Sequence, residues 1–140
     1  MELYFEDIQV GQEMPQLVKG PFDKLQHVMY AGASGDFNPL HTDDDFAKAV
    51  GMQGGVITHG MLVMGTVGQA ITAWVPKKYL KKFGVRFSGM TKPGNTITIT
   101  GKVIDKQASG GLITCEIVAQ DETGDVRLTG RFEAVLPSKN

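Results

Sequence analysis

The feature that most constrains this chain is an uncharged stretch over residues 49–76, which holds no Asp, Glu, Lys or Arg in 28 residues. Six glycines, two glutamines and His59 interrupt it, so it lacks the roughly 20 consecutive apolar residues of a membrane span. A helix that is apolar on nearly every side must be enclosed by protein. We therefore predict a buried helix that starts near residue 58 or 60 and ends at Val75, before Pro76.

After residue 77 the hydrophobic pattern changes to a period of two, which is typical of strands with one face toward a core. Four segments alternate in this way, at residues 83–88, 96–100, 113–117 and 126–134. The connections between them are rich in Gly, Pro, Asn and Asp, which favour turns. The pattern predicts four consecutive strands joined by short turns into an antiparallel meander.

One apolar helix followed by a curved antiparallel sheet predicts an α+β fold in which the sheet wraps around the helix, the hot-dog arrangement. An unrelated α+β sandwich is the alternative. The length predicts a single domain over residues 1–140. Such a sheet keeps an exposed edge, so we expect a dimer that extends it.

The segment before the uncharged stretch predicts two shorter helices. One covers residues 22–33, where Leu25, Val28 and Met29 share an apolar face. The other begins at Thr42 and ends near Gly51, because a threonine cap followed by three aspartates suits the positive end of a helix dipole. Consecutive helical side chains point in different directions, so these aspartates do not predict a metal site.

Charge and cysteine content exclude several classes of function. A net charge of -1 and a sequence pI near 6.3 give no attraction to nucleic acid. The single cysteine, Cys115, rules out an internal disulfide framework and a Cys-rich metal site. The first seven residues carry acids where a signal peptide needs basic residues. We expect a cytoplasmic protein.

A carboxylate and an imidazole lie five positions apart in the turn-rich segment 34–41, at Asp36 and His41. Loops held between rigid elements are where catalytic groups concentrate. An Asp and a His that both reach one water can orient it and exchange its proton near neutral pH. These residues also have a structural interpretation, in which Asp36 and Asn38 cap backbone amides and His41 is a surface side chain. Judged from residue types alone, that use is the commoner one.

A second candidate element lies at the start of the predicted buried helix, where Gly60 follows His59. A helix N-terminus offers unpaired amides, and a glycine there lets a ligand oxygen approach the backbone. The Gly60 amide could therefore polarise a carbonyl and stabilise an enolate-like charge. The alternative is a glycine needed for close helix packing. We interpret His59 as a buried histidine that holds the shape of the site.

The segment over residues 30–65 as a whole resembles the hydratase-2 motif of the MaoC-like dehydratases. The resemblance is carried by the string D-x-N-P-x-H at 36–41 and the string H-G-M-L at 59–62. The family includes (R)-specific enoyl-CoA hydratases and (3R)-hydroxyacyl-ACP dehydratases. The runs T-A-W-V at 72–75 and V-R-F at 85–87 are similar to the branch formed by the B subunits of the mycolic-acid elongation dehydratases.

Carried over position by position, the resemblance implies that Asp36 and His41 hold and activate a water. That water adds syn to a 2-enoyl thioester and gives a (3R)-3-hydroxyacyl product, or is lost in the reverse reaction. The resemblance also implies that the Gly60 amide binds the thioester carbonyl and that Ser34 and Asn38 shape the loop.

One position departs from the family pattern. Some (R)-hydratases have a serine eight residues after the helix glycine, and Gly68 stands there in this chain. Any polar help that this serine gives the thioester is absent, which leaves room for a different substrate orientation or chain length.

The sequence thus predicts a lyase that acts on acyl-CoA or acyl-ACP thioesters and needs no metal or cofactor. We expect a homodimer, or a heterodimer with a related subunit, and no nucleic-acid partner. Two rivals remain open. A thioesterase of the same fold would release a free thiol, and a non-catalytic acyl-binding subunit would have no need for both Asp36 and His41.

Overall fold

The computed structural model describes residues 2–140, so Met1 of the predicted domain lies outside the described residues. Within this range the chain forms three α-helices and five strands. The helices are α1 (Lys24–Ser34), α2 (Asp44–Ala49) and α3 (Gly60–Trp74). The strands are β1 (Leu17–Lys19), β2 (Leu80–Phe87), β3 (Ile97–Gln107), β4 (Leu112–Gln120) and β5 (Val126–Val135).

The five strands form one antiparallel sheet in the order β1-β3-β4-β5-β2. The predicted meander is correct for β3, β4 and β5, but β2 pairs with β5 instead of β3, as the register Phe83↔Phe132 shows. The connection after β2 explains the difference. It runs beneath the start of α3, where the Thr58 amide donates to the Thr91 carbonyl at 2.7 Å, and carries the chain across the fold to β3.

The core lies between α3 and the concave face of the sheet. Four residues of α3 are buried: Val63, Val67, Ala70 and Ile71. They join one cluster with the inward residues of the strands, whose alternating burial along β3 and β4 matches the predicted period of two. Burial of such side chains contributes about 1.5–3 kcal/mol each. The predicted α+β arrangement of a curved sheet around one apolar helix is therefore confirmed.

The enclosure of α3 is less complete than predicted, because one stripe of the helix is exposed in the single chain. The exposed residues are Met61, Gly65, Gln69, Thr72 and Ala73. Their spacing places them on the face opposite the sheet. Among residues 2–140, no helix combines the length and the apolar character that crossing a bilayer requires.

The first helix exists where predicted, but its buried face is not the predicted one. Leu25, Val28 and Met29 are exposed, whereas His27 and Ala31 face the core. The hydrophobic pattern misidentified the face because a histidine replaces an apolar residue on it. The cap of α2 also differs from the prediction: Asp43, and not Thr42, accepts from the first amides of the helix.

Candidate active site

The loop that carries Asp36 begins where α1 ends. Gly35 caps the helix with a φ of 76°, a left-handed conformation that favours glycine. The Ser34 hydroxyl donates to the Tyr30 carbonyl at 2.7 Å and accepts from the Asp36 amide at 3.1 Å. Ser34 therefore fixes the direction in which the chain leaves the helix and positions the Asp36 backbone.

A short 3-10 turn over Pro39–His41 brings the chain back toward Asp36. The Asn38 side chain caps this turn by accepting from the Leu40 amide at 3.0 Å. Proline at the first position suits the turn because its φ is already fixed there. The Asn38 carbonyl also accepts from the His41 amide at 3.1 Å, so Asn38 shapes the loop through both its side chain and its backbone.

The turn places the Asp36 carboxylate beside the His41 ring, with Oδ2 and Nε2 3.6 Å apart. This is longer than a direct hydrogen bond, but one water can lie within hydrogen-bond distance of both atoms. The Asp36 side chain is 50% exposed and the His41 side chain 11% exposed. The alternative of a surface histidine is therefore wrong, whereas Asp36 also serves the loop by accepting from the Asn38 amide at 3.2 Å.

The hydrogen bond on the other side of the His41 ring decides its tautomer. Nδ1 lies 2.8 Å from the Ile57 carbonyl. A carbonyl oxygen only accepts, so Nδ1 carries the proton and donates it. In the neutral ring Nε2 is therefore unprotonated and presents its lone pair toward the side of Asp36, as a general base requires.

His59 packs against both candidate catalytic residues. Its ring stacks on the His41 ring with centroids 3.8 Å apart and an interplanar angle of 24°. Its Nε2–H donates to the Asp36 carbonyl at 3.2 Å, while Nδ1 is buried with no partner among the described residues. Burial lowers the pKa of His59, so the ring is neutral near pH 7.

His27 is a residue of the site that the sequence analysis did not identify. It is fully buried in α1, where Nδ1 lies 2.9 Å from the His41 carbonyl and Nε2 lies 2.8 Å from the Thr58 hydroxyl. Burial lowers its pKa against the opposing effect of the His41 hydrogen bond. The sequence held one signal that His27 is buried: it lies four positions before Ala31, so the two residues share one helix face.

Gly60 is the first residue of α3, directly after His59. The amides of Leu62 and Val63 bond to the His59 carbonyl, but the Gly60 amide has no hydrogen-bond partner in residues 2–140. Gly60 is exposed, so its N–H is open to a ligand oxygen. A Cβ at this position would lie 3.2 Å from the Phe87 ring, so the close-packing interpretation of this glycine also has support.

A mostly apolar cavity of about 160 Å³ opens beside Gly60. Its walls include Val63, Phe87 and Met90. A larger cavity of about 660 Å³ lies on the outer face of the sheet around Gly84 and Arg131. Neither cavity is lined by Asp36 or His41, so the convergence of titratable groups identifies the site better than cavity size does.

Donor atoms of Asp36, His41 and His59 lie within 4.8 Å of one another, a spacing that a metal ion could use. An imidazole binds a metal through a lone pair in its own ring plane. The rings of His41 and His59 are stacked with nearly parallel planes. Lone pairs in these two planes therefore do not point at one ion at coordination distance from both rings. The histidine stack thus does not suit a metal.

Cys115, which lies in β4, is not a candidate nucleophile. It is fully buried, and burial raises the pKa of its thiol to about 12. A thiol with this pKa is protonated at neutral pH, and only the thiolate is reactive.

Comparison with known proteins places this geometry in a family. The family model of the MaoC like domain matches residues 7–124. The (R)-specific enoyl-CoA hydratase of Rhodospirillum rubrum is 28% identical over 97% of this chain and 93% of its own length. The peroxisomal hydratase-dehydrogenase-epimerase of Neurospora crassa is 33% identical over 69% of this chain, which spans only 10% of that protein.

Solved structures show the same fold. The (R)-hydratase from A. caviae involved in PHA biosynthesis has a TM-score of 0.84 and 25% identity, and the match covers 94% of this chain and 99% of that chain. One chain of the ChsH1-ChsH2 complex from Mycobacterium tuberculosis has a TM-score of 0.79 and 27% identity, with 91% and 98% covered. The predicted hot-dog fold is confirmed, and this chain belongs to the family of MaoC-like domains.

Proposed function

We propose that this protein is a lyase that interconverts 2-enoyl and (3R)-3-hydroxyacyl thioesters, with Asp36 and His41 holding the reacting water. The carrying observation is the position of the two side chains, with His41 Nε2 3.6 Å from Asp36 Oδ2 and His41 Nδ1 held by the Ile57 carbonyl. One water can contact both groups there. Family membership and a relative that is an (R)-specific enoyl-CoA hydratase support this reaction.

In the hydration direction His41 Nε2 accepts a proton from the water. The Asp36 carboxylate accepts a hydrogen bond from the second O–H of the same water. The water oxygen forms a bond to C3, the C2–C3 π pair becomes the C1–C2 π bond of an enolate, and the carbonyl π pair moves to the thioester oxygen. The carbonyl then re-forms as the C1–C2 π pair takes the proton held by His41 at C2, on the same face. One water is added in total, and a syn addition follows because both groups lie on one side of the substrate.

The Gly60 amide is our candidate for stabilising the charge on the thioester oxygen. Gly60 is exposed and at the positive end of α3, and its amide has no hydrogen-bond partner in the part of the chain that the structure describes. A donor of this kind typically contributes about 2.7–4 kcal/mol to lowering the barrier. The mechanism requires no metal or redox cofactor, because the base, the water and the oxyanion donor are all provided by the chain and the solvent.

The substrate class we propose is an acyl-CoA or an acyl-carrier-protein thioester. The cavity beside Gly60, with Val63, Phe87 and Met90 in its walls, is the candidate site for the acyl chain. Its volume of about 160 Å³ favours short acyl chains in the single subunit. We also propose a cytoplasmic location, since a chain with one buried cysteine has no need of an oxidising compartment.

We further propose that the active form is a dimer, either of this chain or with a related subunit. Strand β2 is an edge of the sheet, with its outer backbone groups free to pair with another strand. The exposed stripe of α3 contains no charged residue, and Gly68 of the same helix lies against Phe83 of β2. A second subunit that extends the sheet at β2 can therefore cover this stripe as well. The ChsH1-ChsH2 complex is a precedent for two different chains.

The test is the hydration of crotonyl-CoA by the purified protein, followed by the loss of enoyl-thioester absorbance. A coupled (R)-specific 3-hydroxyacyl-CoA dehydrogenase reports the configuration of the product. We expect water addition, the (3R) product and no release of free thiol. Thiol release without hydration would establish a thioesterase, and activity that appears only with a partner chain would establish a heterodimer.

A further inference from the structure

The buried histidine of α1 has a connection to the site that its position in the sequence does not suggest. His27 lies 14 residues before His41 and 31 residues before Thr58, yet its ring bonds to both. It is fully buried and contacts no solvent. A buried ionisable side chain with both ring nitrogens bonded is an ordered, oriented group.

The acceptor at Nδ1 decides the tautomer of His27. The His41 carbonyl only accepts, so the His27 Nδ1–H donates to it. In the neutral ring Nε2 then accepts from the Thr58 hydroxyl, which donates. In the neutral Nδ1–H tautomer both ring nitrogens of His27 therefore have a hydrogen-bond partner of the right kind.

The titratable groups around His27 favour the neutral state on balance. His41 and His59 disfavour a charge on it, Asp23 favours one, and burial is the largest influence. A positive charge at His27 would lie 6.0 Å from the centroid of the His59 ring, in a region closed to water. The ring can act as a fixed donor without competing for the proton that His41 exchanges.

Together the three histidines link the two segments of the site through backbone carbonyls. His27 donates to His41, His41 donates to Ile57, and His59 donates to Asp36. His27 contacts two segments, because it also bonds to the Thr58 hydroxyl. Thr58 directly follows Ile57, whose carbonyl accepts from the His41 ring. His27 therefore fixes both the backbone of His41 and the segment that orients the His41 imidazole.

We propose that His27 is a positioning residue for His41. Its Nδ1–H holds the His41 backbone, and its Nε2 holds the Thr58 hydroxyl, so that the His41 ring keeps its Nδ1–H on the Ile57 carbonyl and its Nε2 free toward Asp36. His27 touches neither water nor substrate in this role. The inference rests on the proposed function of His41, but the tautomers themselves can be measured without turnover.

The first experiment is ¹⁵N NMR of the histidine rings in the unmodified protein, which distinguishes protonated from unprotonated ring nitrogens. We expect a proton on Nδ1 of both His27 and His41 at neutral pH, with Nε2 of His27 unprotonated. An Nε2–H tautomer or a charged ring at His27 would overturn the proposal. If the protein does not hydrate crotonyl-CoA, the proposed function fails, but this spectrum still decides the arrangement of the rings.

The second experiment compares two variants that each retain one half of the histidine. In His27→Asn the side-chain amide can still donate to the His41 carbonyl from the position of Nδ1, but the contact with Thr58 is lost. In His27→Gln the amide can reach Thr58 from the position of Nε2, but the donation to His41 is lost. We expect His27→Gln to lower kcat on the order of 10–100-fold, with KM changed less than about twofold, because a misplaced catalytic group slows the chemical step. We expect His27→Asn to lose less, no more than about tenfold in kcat, because it keeps the donation to the His41 carbonyl and gives up only the contact with Thr58.

Wild-type kcat in folded His27→Gln, or equal losses in the two variants, would contradict the proposal. If His27→Gln does not fold, Thr58→Val provides the same test at the other contact, since valine keeps the shape and removes only the hydroxyl. We then expect the Thr58→Val protein to show altered His41 ring shifts and a lower kcat with unchanged KM. Unaltered shifts and kcat would overturn the proposal.

Discussion

The ring of His59 lies on the ring of His41, with centroids 3.8 Å apart, while its Nε2–H holds the backbone carbonyl of Asp36. One buried side chain therefore contacts both groups that we assign to the reacting water. Two positively charged imidazoles would repel each other at this distance. A charge on His41 therefore disfavours a second charge on the His59 ring.

Substitution of the two proposed catalytic residues should abolish hydration without unfolding the protein. We expect Asp36→Asn and His41→Ala to lower kcat for crotonyl-CoA by about 10²–10⁴-fold, because each removes a contact to the reacting water. Asp45→Asn is the matched control, since Asp45 is exposed and outside the site. Near-normal turnover in either site variant, with native circular dichroism, would refute the assignment.

The amide of Gly60 can be removed without breaking the helix. Proline is tolerated at the first position of a helix, and the ψ of 127° at His59 is compatible with a following proline. We expect Gly60→Pro to lower kcat by about 10²–10³-fold relative to Gly60→Ala, because only proline lacks the N–H.

The alanine variant is the necessary reference in this comparison. It carries the same Cβ, which would lie 3.2 Å from the Phe87 ring, so both variants share the crowding that the Cβ causes. Equal rates for Gly60→Pro and Gly60→Ala would show that the amide does not bind the thioester oxygen.

Stability should decrease on mild acidification because of the buried histidines. Burial lowers the pKa of His27 and His59 below the ordinary value of 6.5. At a pH between the folded and unfolded pKa values, the unfolded chain binds more protons than the folded protein. The free energy of unfolding therefore decreases as the pH falls from 6.5 through that range. Urea unfolding from about pH 7.5 to about pH 5 measures this slope.

His59→Gln provides the control for that slope. The glutamine amide can retain the donation from the Nε2 position to Asp36 but does not titrate. We expect a flatter dependence of the unfolding free energy on pH than in the unmodified protein. An equal or steeper slope would indicate that His59 does not contribute through protonation.

Acyl-chain preference should respond to Met90, which lines the cavity beside Gly60. Met90 is half exposed, so Met90→Ala should enlarge the cavity at little cost in stability. We expect kcat/KM to shift toward longer 2-enoyl-CoA substrates by about fivefold or more, since one methylene in an apolar pocket changes binding by about 1–3 kcal/mol.

Met61→Ala is the matched control for the cavity. Met61 is similarly exposed but is not among the residues that line the cavity, so its removal should leave the chain-length profile unchanged. The same shift in both variants, or none in Met90→Ala, would mean that the acyl chain binds elsewhere.

The sequence by itself determined the elements whose causes are local. Alternation along β3, β4 and β5 specified a sheet with one buried face, and the uncharged stretch specified α3. The positions of Pro39 and Asn38 specified the turn that returns His41 to Asp36, because a capped 3-10 turn depends only on neighbouring residues. The catalytic assignment of Asp36 and His41 came instead from the resemblance to the MaoC-like dehydratases, because their residue types alone favoured a structural use.

Only the tertiary structure decided the features that join distant segments. The pairing of β2 with β5 depends on the path of the chain beneath α3, and the buried face of α1 depends on what packs against it. The roles of His27 and His59 depend on carbonyls 14 and 23 residues away. A hydrophobic pattern records which side chains avoid water, but it does not record which polar partner a buried histidine will meet.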